Sequence, residues 1–405
     1  MRDNKKNTAR FFKDQKSSVT RESMWNRKGL NKRLPDPTLM IVVIILVFTS
    51  LVIVYSASSA RAYELTGDSS FFLFRQLMRV AIGFVGLIFL SKLDYRVFRF
   101  AGLPLLIVAL IALVILLIPG VTEPIKGAKR AFMLMGQSFQ PSEIAKFALI
   151  LFMADSVTRR GEDLKTWPGF LRRMLIIGMV CSLIILQPDF STGLMIGLIG
   201  VFILFIGGTK LGYLFATGIP LIFVAYKVAF AAEYRVMRVK TWWTGVLHPD
   251  QIGHQVNQSL IGLGDGGMFG LGIGMSHQKQ FFLPEPFTDF VFSILGKELG
   301  FIGTAMTVIL FAIIAYRGIK IAMRAPDNFG FVLSGAITFA IVTYGFINLM
   351  VVTGLLPVSG LPLPFLTYGG SSLIFTMFMV GILLSISRSC TMESEKNNNR
   401  NNTVG

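Results

Sequence analysis

The sequence predicts an all-α polytopic membrane protein of about ten transmembrane helices, with a large extracytoplasmic loop between spans seven and eight. Three observations carry that prediction. Hydrophobic residues make up 53% of the 405-residue chain against 15% charged, and mean hydropathy is +0.63, a balance foreign to a soluble domain with a charged shell. Apolar runs near the roughly 20 residues that a bilayer requires recur along the chain. Lysine and arginine gather in alternate connections, as the positive-inside bias requires of a chain threaded back and forth through a membrane. Abundant Phe (36) and Gly (40) suit helices packed closely within lipid. Two cysteines, Cys181 and Cys390, offer no disulfide framework.

Residues 1–38 read as a basic cytoplasmic tail, in which Lys and Arg far outnumber Asp and Glu. Much of the net charge of +17 sits there. Such a tail attracts anionic membrane lipid. No nucleic-acid-binding fold follows it, so nucleic acid is not expected as a partner. The first apolar run, 39–57, is longer than a signal-peptide core and follows too long a tail to be one, so it reads as the first span despite a small-residue site at Ser58-Ser59-Ala60. The remaining runs are 77–92, 100–119, 142–158, 172–188, 192–208, 211–230, 289–317, 330–353 and 365–387, and 389–405 is a polar cytoplasmic tail.

Ten is even, so both termini share a side. With the basic tail inside, the connections at 92–99, 159–173, 207–210 and 317–324 fall inside and each carries Lys or Arg. The outer segments are then 58–76, 120–141, a hinge at 188–191, the long loop 231–288, and 354–364. Lys126, Lys129, Arg130, Arg235, Arg238 and Lys240 lie outside against the bias. Chance accounts for such exceptions, and a basic patch that holds an anionic ligand also does.

Ionisable residues inside a membrane are costly and border polar cavities. Glu143 and Lys146 open the fourth span, Asp189 closes the fifth and Asp289 begins the eighth, all near the outer surface. Glu143 and Lys146 are three apart and share a helix face. Lys297 and Glu298 lie deeper, roughly 12–14 Å along the eighth helix at 1.5 Å per residue. Each charge alone fits a structural pair; their gathering at one depth favours a site.

The outer loop adds RVMRVKTWWTGV at 235–246, suited to a helix in the headgroup layer. GLGDGGMFGLGIG at 262–274 follows, rich enough in glycine for sharp turns and close backbone approach. Its formal G-x-G-x-x-G has no preceding strand, which excludes a dinucleotide site. The loop's His248, His254 and His277 match no metal-ligand spacing. Gly193 and Gly197 read as a helix-packing pair. GLLPVSGLPLPFLTYGGSS at 354–372 demands non-helical backbone at membrane depth, which must border protein or a water-filled cavity.

QPSEIAK at 140–146, QPDFST at 187–192, LPEPFTDFVF at 283–292 and LPLPFLTYGGSS at 361–372 together resemble the signatures of the SEDS family of peptidoglycan glycosyltransferases. The resemblance runs in the family's order across most of 40–388. The basic tail and SHQKQFFLPE at 276–285 are more similar to the division members than to the elongation members. What the resemblance implies is polymerisation of lipid II at the outer face of the cytoplasmic (inner) membrane. Undecaprenyl diphosphate is the leaving group, and a class B penicillin-binding protein supplies transpeptidation among other division proteins at the septum.

By that resemblance Asp289 is the catalytic residue, a general base for a sugar hydroxyl, and partial desolvation would strengthen it as a base. Lys129, Arg130, Glu143 and Lys146 are the substrate-binding candidates, the cations facing the diphosphate. Asp189, Lys297 and Glu298 are expected to support the site. A divalent cation (Mg or Mn) could share the diphosphate's charge, with no all-protein metal site legible. The chain departs from the family pattern at Ala131, Ser191, Phe287 and Lys297, where an aromatic, a glycine, a histidine and the first acid of E-E-L-G are usual. Two further readings stay open, a lipid II flippase or transporter and a non-catalytic division scaffold.

Overall fold

The structure, a computed structural model, describes residues 35–120, 130–134, 137–159, 161–275 and 289–403, the segment 391–403 by its backbone alone. Seven apolar helices come first: α1 (Pro37–Thr66), α2 (Phe71–Lys92), α3 (Phe98–Leu117), α4 (Pro141–Arg159), α5 (Trp167–Ile185), α6 (Phe190–Ile206) and α7 (Leu211–Phe230). Two shorter helices, α8 (Glu233–Leu247) and α9 (His254–Asp265), occupy the expected outer loop. The chain ends with α10 (Val291–Met323), α11 (Asn328–Val352) and α12 (Ser371–Thr403). Strands β1 (Phe132–Leu134) and β2 (Gln137–Phe139) form a small antiparallel hairpin, an addition to the all-α expectation.

Eight of these helices are long and apolar enough to cross a membrane. Of the two remaining expected spans, α6 is shorter and α4 carries Glu143, Lys146, Asp155 and Arg159. Several boundaries move from the apolar runs. α1 continues to Thr66 because Ser58 and Ala62 are buried against protein, and it stops where Gly67 takes a left-handed conformation (φ 74°). α2 begins at Phe71 rather than 77, with Arg79 buried inside the bundle and its guanidinium 4.5 Å from the Tyr368 ring. Protein, not lipid, surrounds that charge, so it need not mark a helix end. α12 starts at Ser371 rather than 365, because 361–370 is not helical.

Burial follows position in the bundle. α4, α11 and α12 form its centre, and Ala145 to Leu151 of α4 are buried on every side of the helix. α7 stands at the edge, with none of its span buried and Phe215, Ile219, Ile222 and Phe223 exposed. Such a helix needs lipid as its other neighbour. Close approach depends on glycine: a Cβ at Gly102 of α3 would stand 2.7 Å from the Phe152 nitrogen of α4. A Cβ at Gly193 of α6 would stand 2.8 Å from Ile185, in keeping with the packing role expected there.

The glycine-rich segment before residue 275 has a more specific part. At Gly300 (φ 67°, ψ −164°) α10 breaks, which separates the Phe301 and Ile302 N–H groups from the Lys297 and Glu298 carbonyls they would meet in an unbroken helix. The segment supplies the missing partners. Phe301 and Ile302 donate to the carbonyls of Gly267 and Met268 at 2.9 and 3.3 Å, and Leu271 and Gly272 donate to those of Lys297 and Glu298 at 2.9 and 3.1 Å. Side chains would close this joint: a Cβ at Gly270 would lie 2.1 Å from the Glu298 oxygen, and one at Gly266 2.0 Å from the Gly296 oxygen.

Helix starts and ends meet at the opposite end of the bundle. Asp36 caps α1, its carboxylate accepts from Arg317 near the end of α10, and its N–H donates to Ser387 of α12 at 3.0 Å. Arg388 donates to the Lys92 carbonyl at the end of α2 at 2.7 Å. Asp327 caps α11 through the Gly330 N–H (2.8 Å) and accepts from Tyr95 Oη and Arg96 Nε, both at 2.9 Å. Burial alone would raise the Asp327 carboxyl, but the Gly330 N–H, the Arg96 guanidinium and the charge of Arg99 outweigh it and hold the group below the usual carboxylate range.

Because the folded-state value is depressed, Asp327 stabilises the fold above the ordinary carboxylate range and loses that contribution as pH falls. Asp327→Ala should cost about 3 kcal/mol, since it removes a cap and leaves two partners unpaired. Thermal unfolding of the solubilised protein should shift to lower temperature as pH drops below about 4, and Asp327→Asn should flatten that dependence.

Candidate active site

Asp289 lies two residues before α10, where the outer loop re-enters the bundle, and is half-buried. Its main chain is fixed by Asn348 of α11, whose Nδ2 donates to the Asp289 carbonyl at 2.9 Å and to the Leu361 carbonyl at 2.8 Å. One amide thus ties the start of α10 to the non-helical segment 354–370. Gly360 (φ 72°) sits beside the carboxylate, where a Cβ would be 3.6 Å from Oδ2. Glycine there meets the backbone requirement and leaves the approach to Asp289 uncrowded.

The segment 354–370 has a stiff interior. Leu363 N–H donates to Thr367 Oγ1 at 2.7 Å, and Phe365 is buried at a positive φ of 67°. A bulky residue in that region costs roughly 1–3 kcal/mol and persists only where surrounding packing dictates it. Beyond it, Ser371 Oγ accepts from the Gln140 N–H at 2.9 Å, and a Cβ at Gly370 would fall 2.3 Å from the Ser138 carbonyl. The β1–β2 hairpin therefore rests on this segment.

Gln140 leads into α4, whose first two turns carry Glu143 and Lys146. Lys146 Nζ lies 2.7 Å from Glu143 Oε2, close enough for an ion pair though not aligned as a hydrogen bond. Nζ also lies 4.2 Å from the centre of the Tyr344 ring. The two charged side chains are only 3% and 4% exposed, so they lie beneath the surface. Tyr344 and Asn348 are four apart on α11 and share one face, which links the Glu143–Lys146 pair to Asp289. Tyr344 Oη, Asn348 Oδ1 and Ser142 Oγ are buried and have no hydrogen-bond partner among the described residues.

Asp189 caps α6 by accepting from the Thr192 N–H at 3.4 Å, and it also accepts from Gln140 Nε2 at 3.3 Å. Arg130 donates to the Pro188 carbonyl beside it. Lys129 and residues 276–288 lie outside the described residues, as does Lys126. Lys297 and Glu298, adjacent in sequence, face different partners. Lys297 Nζ is 2.9 Å from Asp265 Oδ2 at the end of α9, and Glu298 accepts from Ser56 Oγ of α1 at 2.6 and 2.8 Å. Two further members of the expected outer basic patch also bind backbone: Arg235 donates to the Val228 carbonyl at 2.6 Å and Arg238 to that of Val358 at 3.4 Å.

Sequence reasoning missed Tyr344, Asn348, Gln140 and Ser371. The signal for the first two was present, since a tyrosine and an asparagine one turn apart in an apolar span need partners inside the protein. Gln140 and Ser371 lie in the QPSEIAK and LPLPFLTYGGSS motifs, but nothing local marked their partners, which are 49 and 231 residues away.

A family model described as "Cell cycle protein", covering FtsW, RodA and SpoVE, matches residues 37–392. The chain is 41% identical over 354 residues to a probable peptidoglycan glycosyltransferase FtsW of Trichlorobacter lovleyi, spanning 87% of this chain and 93% of that one. It is 37% identical over 358 residues to the stage V sporulation protein E of Bacillus subtilis, spanning 88% and 98%. Among solved structures, it resembles the rod shape determining protein RodA of Thermus thermophilus with TM-score 0.64 and 25% identity over 88% of this chain and 97% of that one. It also resembles a chain solved in a study of polymerisation and crosslinking by a peptidoglycan synthase complex, with TM-score 0.70 and 26% identity over 88% and 98%.

Asn348→Ala should lower the unfolding temperature of the solubilised protein, because two buried carbonyls lose their donor at roughly 1–3 kcal/mol each. Asn348→Asp, which keeps the shape but not the amide donor, should not recover it; full stability in either variant would show that the Asp289 backbone is held by other means.

Proposed function

The chain belongs to the FtsW, RodA and SpoVE family of cell cycle proteins; from that membership we propose that it polymerises lipid II into glycan strands at the outer face of the cytoplasmic membrane during septal wall synthesis, most like FtsW. The observation that carries this reading is the meeting at one end of the bundle of a half-buried carboxylate, a buried ion pair and a proline- and glycine-rich wall. A membrane-embedded acid beside an open backbone segment suits a reaction whose reactants are lipid-anchored sugars.

Asp289 takes the proton from the 4-hydroxyl of the acceptor's GlcNAc as that oxygen attacks the anomeric carbon of the donor's MurNAc. The bond from that carbon to the diphosphate oxygen breaks, undecaprenyl diphosphate leaves with the bonding electrons, and the single displacement inverts the anomeric centre. Arg130 and Lys129 supply charge for the diphosphate. Glu143 and Lys146, buried beneath Tyr344, set the field and the position of this wall rather than grip the substrate. Asp189 keeps the start of α6 in register with Gln140. No three His, Cys, Asp or Glu gather among the described residues, so a divalent ion would draw its ligands from Asp289, the diphosphate and water.

The likeness to a chain from a peptidoglycan synthase complex supports a transpeptidase partner, here a class B penicillin-binding protein. Alternation of the basic connections supports ten spans with both termini cytoplasmic. In that arrangement Asp36, Arg96, Arg317 and Asp327 face the cytoplasm, while Asp289 and α8 face outward.

Asp289→Asn should abolish glycan polymerisation from purified lipid II, a loss of at least about a hundredfold for a general base. The comparison is made on full chain purified with its transpeptidase at matched folding and complex yield. Polymer persisting in the variant would remove Asp289 from the mechanism; no polymer from wild type would return the flippase and scaffold readings.

A further inference from the structure

Lys297 stands where the family usually carries the first acid of E-E-L-G, and the structure contains a partner for the reversed charge. Its Nζ lies 2.9 Å from Asp265 Oδ2, at the last residue of α9 and within the glycine-rich stretch 262–274. The Lys297 side chain is 7% exposed and that of Asp265 45%, so a largely buried cation meets a carboxylate at the protein surface. A cation removed from water requires such a partner.

From Asp265 onward the segment is fastened along its length. Gly267, Met268, Leu271 and Gly272 exchange backbone hydrogen bonds with both sides of the break in α10. At the far end the Gly274 N–H donates to Ser56 Oγ at 3.1 Å, and Ser56 donates to Glu298. The chain leaves this joint at 275 and returns as Asp289, two residues before the same helix. Backbone exchange alone fixes register poorly in a stretch whose larger side chains, Met268, Phe269, Leu271 and Ile273, are exposed rather than packed. A side-chain pair at one end removes that ambiguity.

We propose that Lys297 and Asp265 form a positioning ion pair, which sets the register of the glycine-rich segment on broken α10 and thereby steadies the start of that helix beside Asp289. The proposal rests on the polymerase reading for its effect on rate. It makes an acid at 297 harmful even though an acid restores the family pattern, because that acid would face Asp265 with like charge. It also makes the damage reversible by exchanging the charges.

The test compares wild type, Lys297→Glu, Asp265→Lys and the double exchange, each as full chain in lipid nanodiscs. Two readouts are taken: lipid II polymerisation, and hydrogen exchange at the Leu271 and Gly272 amides. Each single variant should expose both amides and lower kcat by about tenfold or more, the size expected for a misplaced reacting group. KM for lipid II should move by less than about threefold, and the double exchange should restore rate and protection to within about threefold of wild type. The proposal is overturned by a single variant with wild-type rate, by amide exposure without loss of rate, or by a double exchange no better than the singles. Wild type without polymer overturns the polymerase reading alone, and the exchange data then decide the seating of the segment by themselves.

Discussion

A peptide group buried away from water must find a hydrogen-bond partner within the protein, and this constraint governs the joint at Gly300 on which much of the outer half depends. Breaking α10 at buried Gly300 releases two N–H groups and two carbonyls from their helical partners. Left unpaired in such surroundings, each would cost on the order of several kcal/mol. Residues 267–272 supply the four partners, so the helix break and the docked segment each depend on the other. Glycine at 266, 270 and 300 is a consequence, because any side chain would hold the two backbones apart.

The same economy explains where charge is tolerated. Glu143, Lys146 and Asp155 sit on the helix at the centre of the bundle, whereas α7, in the lipid-facing position, has charge only near its ends. Arg79 enters α2 by turning inward onto Tyr368. Lys297 and Glu298, neighbours in sequence, point in different directions from α10 and join it to α9 and α1 respectively. Lys146, Arg79, Lys297 and Glu298 therefore each connect two elements, and removing one would disturb geometry as well as electrostatics.

The two ends of the bundle are built differently. One is closed by ion pairs and caps, with Asp36 and Asp327 each fastening a helix start to arginine on another element. The other is built of irregular backbone: the hairpin, the segment 354–370 and the re-entry at Asp289, joined by Asn348, Ser371 and Gln140. Irregular backbone at that depth is held by side-chain amides and hydroxyls instead of helical repeats.

By itself the sequence determined the membrane class, the order of the apolar helices and the family, since these follow from hydropathy, charge alternation and four contiguous motifs. It also marked Asp289, Glu143, Lys146 and Asp189, because an ionisable residue in an apolar run is conspicuous without any knowledge of the fold. Helix ends were less legible: α1 outlasts its apolar run because protein contacts, not lipid, continue beyond it. Tertiary structure alone decided the partners. Lys297 pairs with Asp265 across 32 residues, Asn348 binds the Asp289 carbonyl across 59, and Ser56 meets Glu298 across 242. The reason is physical: burial and composition are properties of a segment, whereas a hydrogen bond or an ion pair depends on which segment the fold sets opposite it.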